Sequence, residues 1–135
     1  MAETFQLELA TPERLLVREE VTEAQIPGKE GYIGVLPDHA PLLSELKPGF
    51  LSYTAGGRKN YLALTGGFVE VMPEKVRVLA SAAERADEID VARAEASMKR
   101  AQERLARPVH GIDVARALSA LMRAEARIEA AKHKG

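Results

Sequence analysis

The chain has 135 residues, with 19 Lys+Arg against 20 Asp+Glu, a formal net charge of -1, and neither Cys nor Trp. That length suits one or two small domains and excludes a large multidomain enzyme. The absence of Cys excludes disulfides, thiolate zinc sites and a Cys nucleophile, and fits a reducing compartment. A hydrophobic fraction of 46% with 29% charged residues belongs to a chain that folds, and no apolar run approaches the ~20 residues needed to cross a bilayer.

The balanced charge hides an asymmetry at Glu84. Residues 1–84 carry 8 basic and 12 acidic side chains, whereas residues 85–135 carry 11 basic and 8 acidic. The same cut places 8 of the 10 Gly, 6 of the 7 Pro and all six aromatic residues in the first part. Two physically different domains are expected, 1–84 and 85–135.

In the first domain, Phe5-Gln6-Leu7-Glu8-Leu9 alternates with the period of a half-buried strand. An extended stretch follows from about Leu15 to Ile26, closed by the turn residues Pro27-Gly28-Lys29-Glu30-Gly31. Shorter runs at Tyr32–Leu36, Gly49–Thr54, Lys59–Leu64, Gly67–Val71 and Lys75–Ala80 read as further strands, punctuated by Gly56-Gly57, Gly66-Gly67 and Pro73. Gly56-Gly57 has hairpin chemistry, because such a turn needs positive φ. Many short strands with this punctuation predict an antiparallel β-sandwich or barrel, with no helix of useful length before Ala83.

From about Asp87 the chain turns to alanine-rich helix formers, without Gly or Pro until Pro108. Val91, Ala94, Met98, Ala101 and Leu105 form a seam at spacings of three and four; Val114, Ala117, Leu121, Ala124, Ile128 and Ala131 repeat it. The short Pro108–Gly111 connection predicts an antiparallel two-helix hairpin, which makes the chain α+β overall. Alanine seams bury little apolar area, so the hairpin is expected to be a movable element. Ile89-Asp90-Val91-Ala92-Arg93-Ala94 recurs unchanged at 112–117, and Asp in each copy suits a helix N-cap.

Catalytic constellations are scarce. His39, His110 and His133 are scattered over a loop, a turn and a tail, and the chain lacks both a phosphate loop and a G-x-S-x-G elbow. The arginines carry more information. Arg93 and Arg100 lie seven apart, as do Arg116 and Arg123, and Arg127 stands one turn beyond Arg123. Such an array is either a solvated basic face or a site for phosphate or carboxylate oxygens. Nucleic acid is disfavoured, since the basic segment has no aromatic residue for stacking.

Four strings in order, Gly31-Tyr32-Ile33-Gly34-Val35-Leu36-Pro37-Asp38-His39-Ala40-Pro41-Leu42, Thr65-Gly66-Gly67-Phe68-Val69-Glu70-Val71, Val78-Leu79-Ala80-Ser81-Ala82-Ala83-Glu84-Arg85 and Ile89-Asp90-x-x-Arg93-Ala94, resemble the ε subunit of bacterial F-type ATP synthase. The resemblance runs from Phe5 to Ala131. It implies a β-sandwich followed by two helices, in a non-catalytic rotor subunit peripheral to the cytoplasmic face of the bacterial inner membrane. Its implied partners are the γ subunit and the ring of c subunits, with Tyr32 and His39 in the interface region, although some relatives carry an acidic residue in place of Tyr32. The hairpin of such relatives extends toward the α and β subunits to inhibit ATP hydrolysis. No cofactor is required, but the resemblance implies ATP as a regulatory ligand of the folded hairpin, held by Glu84, Ile89, Asp90, Arg93, Ala94, Arg100, Arg123 and Arg127. A free-standing ATP-sensing module is the alternative; co-purification with γ distinguishes the two.

Overall fold

The computed structural model describes residues 3–107 and 113–133. Eight strands come first: β1 (Phe5–Ala10), β2 (Leu15–Val21), β3 (Glu23–Gly28), β4 (Gly31–Val35), β5 (Leu42–Leu46), β6 (Gly49–Ala55), β7 (Arg58–Val71) and β8 (Lys75–Arg85). A single 3-10 turn (Ala86–Glu88) then leads into the helices α1 (Val91–Ala106) and α2 (Val114–Ala131). The expected connection at Pro108–Gly111, with His110, and the first residue of the second motif copy, Ile112, lie outside the described residues.

Hydrogen bonding runs in the order β2-β1-β8-β7-β5-β3-β4, with β6 pairing both β3 and β7. Two strands serve both layers of this sandwich. The first half of β7 pairs with β6, and its second half, from Gly67 to Val71, pairs with β5. Likewise β8 pairs with β1 through Lys75–Leu79 and then continues along β7 as far as Arg85. The crossing point on β7 is Gly66-Gly67, with φ of 64° and 114°. A Cβ on Gly67 would stand only 2.1 Å from the Leu79 carbonyl oxygen, so only glycine fits where the strand changes layer. At Gly56-Gly57, φ values of 58° and 76° give the β6–β7 hairpin its predicted turn.

Alternating side chains fill the space between the layers. Phe5, Leu7 and Leu9 of β1 meet Val76, Val78 and Ala80 of β8, Leu62, Leu64, Val69 and Val71 of β7, and Leu51 of β6 in one core. Several sequence expectations change in detail. The stretch from Leu15 to Ile26 is two strands, because the chain breaks at Thr22. The runs 59–64 and 67–71 are one strand bent at its glycines, and β5 stands where no strand is expected. The sheet is also not wholly antiparallel: β1 and β8 run parallel. The first helix begins at Val91 rather than near Asp87, because β8 extends to Arg85 and the 3-10 turn takes up the next residues.

The helices start where the duplicated motif places an aspartate. Asp90 accepts the Arg93 N–H at 3.1 Å, and Asp113 accepts the Arg116 N–H at 3.0 Å, each satisfying a donor that the first helical turn leaves open. Ala94 and Ala101 of α1 and Ala117 and Ala124 of α2 are buried, whereas Val114 of the expected seam is exposed. The sandwich is met by α2: Ala126, Ala130 and Ala131 pack with Ala63 of β7 and Ile89, flanked by Phe50, Tyr61 and Val91.

Candidate functional site

Part of the predicted nucleotide set lies where β8 passes into the hairpin. Glu84 sits near the end of β8, opposite Ala63 of β7. Arg127 of α2 reaches it, and its Nε donates to Glu84 Oε1 at 2.6 Å. Each side chain is about one third exposed, at 34% and 36%, so the charge-assisted bond is partly shielded from water. Ile89 is buried beside Ala126, Ala130 and Ala131, and Ala94 is buried in the alanine seam.

The other members do less together. Asp90 is engaged as the N-cap of α1, a role that fixes its carboxylate at the helix start. Arg93 is exposed and Arg123 half-buried, and among the described residues neither guanidinium forms an ion pair. Arg100 donates to Ser97 Oγ at 3.0 Å and lines a shallow cleft of about 390 Å³ with Glu103, Arg104 and Arg107 on the outer side of α1. Of the predicted set, the structure joins Glu84 directly to Arg127, while Ile89 packs against Ala126, the neighbour of Arg127 in sequence, and Asp90, Arg93 and Ala94 follow Ile89 into the first turn of α1.

A cleft of about 540 Å³ lies elsewhere. Tyr53, Arg58, Lys59, Asn60, Tyr61 and Arg85 contribute to its walls, together with His133 beyond α2. None of the predicted nucleotide residues lines it. A smaller groove of about 300 Å³ runs between Tyr32, Phe50 and the α2 residues Met122 and Glu129.

Tyr32 belongs to that groove. Its ring lies 4.9 Å from the ring of Phe50, and its hydroxyl accepts the Phe50 N–H at 3.2 Å. Burial, opposed by this bond, pushes the phenol pKa up. His39 lies in the loop after β4, half-buried, with Nδ1 2.7 Å from the Ala40 carbonyl oxygen. Next to it, Asp38 has a φ of 64°, the left-handed conformation that Asp tolerates better than most residues. The structure therefore separates the two predicted interface residues: Tyr32 stands under the hairpin, and His39 in a loop of the sandwich.

A second surface escapes motif reading. Cross-strand pairing sets Phe68 beside Leu79, Leu79 beside Ala10, and Ala10 beside Leu15, and Leu15, Phe68 and Leu79 are all more than half exposed. This apolar row crosses the outer face of the layer away from the core. Beside it, Glu8 is ringed by Lys75 at 3.0 Å, Arg18 at 3.5 Å and Arg77 at 3.6 Å. The hydrogen bond from Lys75 is the main cause that holds the Glu8 carboxyl below its usual range. The signal was present in β8, where Leu79 shares the outward parity of Lys75 and Arg77.

The model of the ATP synthase delta/epsilon chain β-sandwich domain matches residues 4–86, and that of the long α-helix domain of the same chain matches residues 87–132. The chain belongs to the ATP synthase delta/epsilon family. It is 56% identical over 105 residues to the ATP synthase epsilon chain of Koribacter versatilis, covering 78% of this chain and 74% of that one. To the epsilon chain of Solibacter usitatus it is 54% identical over 111 residues, covering 82% and 83%. Members of this kind are subunits of the complex rather than its catalytic subunit. Among solved structures, a chain of the Euglena gracilis mitochondrial ATP synthase, in an assembly of OSCP, F1 and c-ring, matches with a TM-score of 0.83 at 27% identity, covering 98% of this chain and 84% of that one. A chain from the central stalk and c-ring of Tetrahymena thermophila ATP synthase, at 13% identity and a TM-score of 0.56, covering 95% and 93%, shares the fold. Among the described residues no helix is long and apolar enough to cross a membrane.

Proposed function

We propose that this subunit works in the central stalk of a proton-translocating ATP synthase, on the cytoplasmic face of the bacterial membrane, coupling rotor movement to ATP synthesis. The sandwich is the attachment domain, holding the γ subunit and resting on the c-ring. The hairpin is the regulatory domain. Released from the sandwich, it reaches the α and β subunits and restrains ATP hydrolysis.

The observation that carries this reading is the contrast between a deep aliphatic core and a hairpin whose buried contacts with the sandwich come mainly from small alanines of α2, beside the Arg127–Glu84 ion pair. A part docked this lightly can separate without unfolding its support. The apolar row of Leu15, Phe68 and Leu79 suits attachment, since an exposed apolar strip rimmed by charge marks a protein contact; we assign it to γ. Substituting Phe68→Glu together with Leu79→Glu should abolish co-purification with γ.

ATP acts as a regulatory ligand in this reading. Arg127 already bridges hairpin and sandwich through Glu84, and a triphosphate drawing Arg93, Arg123 and Arg127 together would add bonds that exist only in the docked state. A ligand of this kind shifts the equilibrium by its differential affinity for that state. Ile89 and Ala94 would supply apolar contact, Glu84 and Asp90 acceptors, and Arg100 further positive charge. Isothermal titration with ATP tests the site: heat that weakens in Arg93→Ala and Arg127→Ala supports it, and no heat at millimolar ATP removes it. The regulatory role is tested by hydrolysis in the assembled enzyme with and without residues 88–135. Faster hydrolysis in the shortened form is expected, and an unchanged rate defeats the reading.

A further inference from the structure

Beyond α2 the chain ends its described course with a ring stack. The imidazole of His133 lies on the ring of Tyr61, with centroids 3.7 Å apart and planes within 9°. Tyr61 belongs to β7, and its ring lies 5.9 Å from that of Phe50, which in turn lies 4.9 Å from Tyr32. An aromatic row from three strands therefore lies along the seat of α2, and the hairpin contributes one ring to it, at its far end.

The last turn is held for this contact. The N–H of His133 donates to the Ala130 carbonyl at 3.1 Å. Glu129 accepts from Lys132 at 3.2 Å and stands 3.9 Å from His133 Nε2. On the sandwich side, Lys59 Nζ lies 5.7 Å from the Tyr61 ring centroid. On the hairpin side the buried residues of the seat are Ala126, Ala130 and Ala131, so the stack adds a broad ring contact at its end.

We propose that His133 and Tyr61 form a clasp that sets how readily the hairpin leaves the sandwich. This rests on the reading above that the hairpin leaves as a unit. Opening the clasp frees the end of α2 first, while Arg127 and Glu84, nearly two turns earlier, still hold. Release then proceeds from the His133 end of α2 back along the helix toward its N-terminus, and the clasp governs its first step. Loss of the stack also removes one wall of the 540 Å³ cleft, which His133 lines.

Hydrogen exchange on the full chain tests the clasp. In the wild type, α2 amides should exchange faster than those of β7, the mark of a hairpin that opens while the sandwich stays folded. His133→Ala should speed α2 exchange roughly threefold to tenfold, the size expected of one aromatic contact, with β7 exchange unchanged. His133→Phe should restore slow exchange, because it keeps a flat ring without the imidazole nitrogens. An Ala variant at the wild-type rate, or a Phe variant as fast as the Ala variant, overturns the clasp while leaving hairpin release intact. Wild-type α2 exchange no faster than that of β7 overturns both.

Discussion

The sandwich and the hairpin solve the problem of stability in opposite ways. Leu7, Leu9, Leu51, Leu64, Val69 and Val78 are fully enclosed between two layers, each contributing large apolar area. The seat of the hairpin uses Ala63, Ala126, Ala130 and Ala131, whose side chains bury little. One region is specified by volume, the other by close approach, and only the second can part without leaving a large cavity. The two should therefore answer differently to mutation.

The largest effect should come from the core. Leu64→Ala is expected to cost about 2–5 kcal/mol, read as a lower denaturant midpoint for the whole chain; a loss well below this would show that the sandwich packs no more tightly than the hairpin. Gly67→Ala follows, at roughly 1–3 kcal/mol from forced backbone strain and the clash with Leu79, again in the sandwich transition. Ala126→Glu, by contrast, should undock α2, raising its hydrogen exchange while the melting of the sandwich stays unchanged. If the sandwich melts earlier as well, the two regions are one cooperative unit and the contrast fails.

The smallest effect is electrostatic. Glu8, held low mainly by Lys75, and Glu88, held low mainly by Arg14, have folded pKa values below their unfolded ones. Their stabilisation is therefore complete above the ordinary glutamate range and lost as pH falls through the folded values. Glu8→Gln should lower the melting temperature slightly at neutral pH, with the gap to wild type closing in acid. A gap that widens in acid would contradict the sign.

Legibility in the sequence followed how local each feature is. The β6–β7 hairpin was readable because Gly56-Gly57 carries its own turn chemistry, and both helix starts because Asp90 and Asp113 bond only three residues ahead. The strand β5 was not readable: Leu42-Leu43-Ser44-Glu45-Leu46 shows no clean alternation and becomes a strand by pairing with the second half of β7. The parallel partnership of β1 and β8 joins distant segments and leaves no mark on either. At the candidate site, the spacing of Arg123 and Arg127 was visible; Glu84 entered only through family resemblance, as a member of the ATP-holding set, and its pairing with Arg127 came from the structure. His133 stood alone in a tail, and nothing near it in sequence pointed to Tyr61.

The parallel pairing also sets an order of events during synthesis. Strand β1 leaves the ribosome early but finds one neighbour, β8, only after Lys75–Leu79 has emerged, so the sandwich closes late and through a distant contact. By then the helical segment is still to come. When it emerges, the face that receives it is already built, which means that the hairpin meets its sandwich for the first time much as a separate protein would.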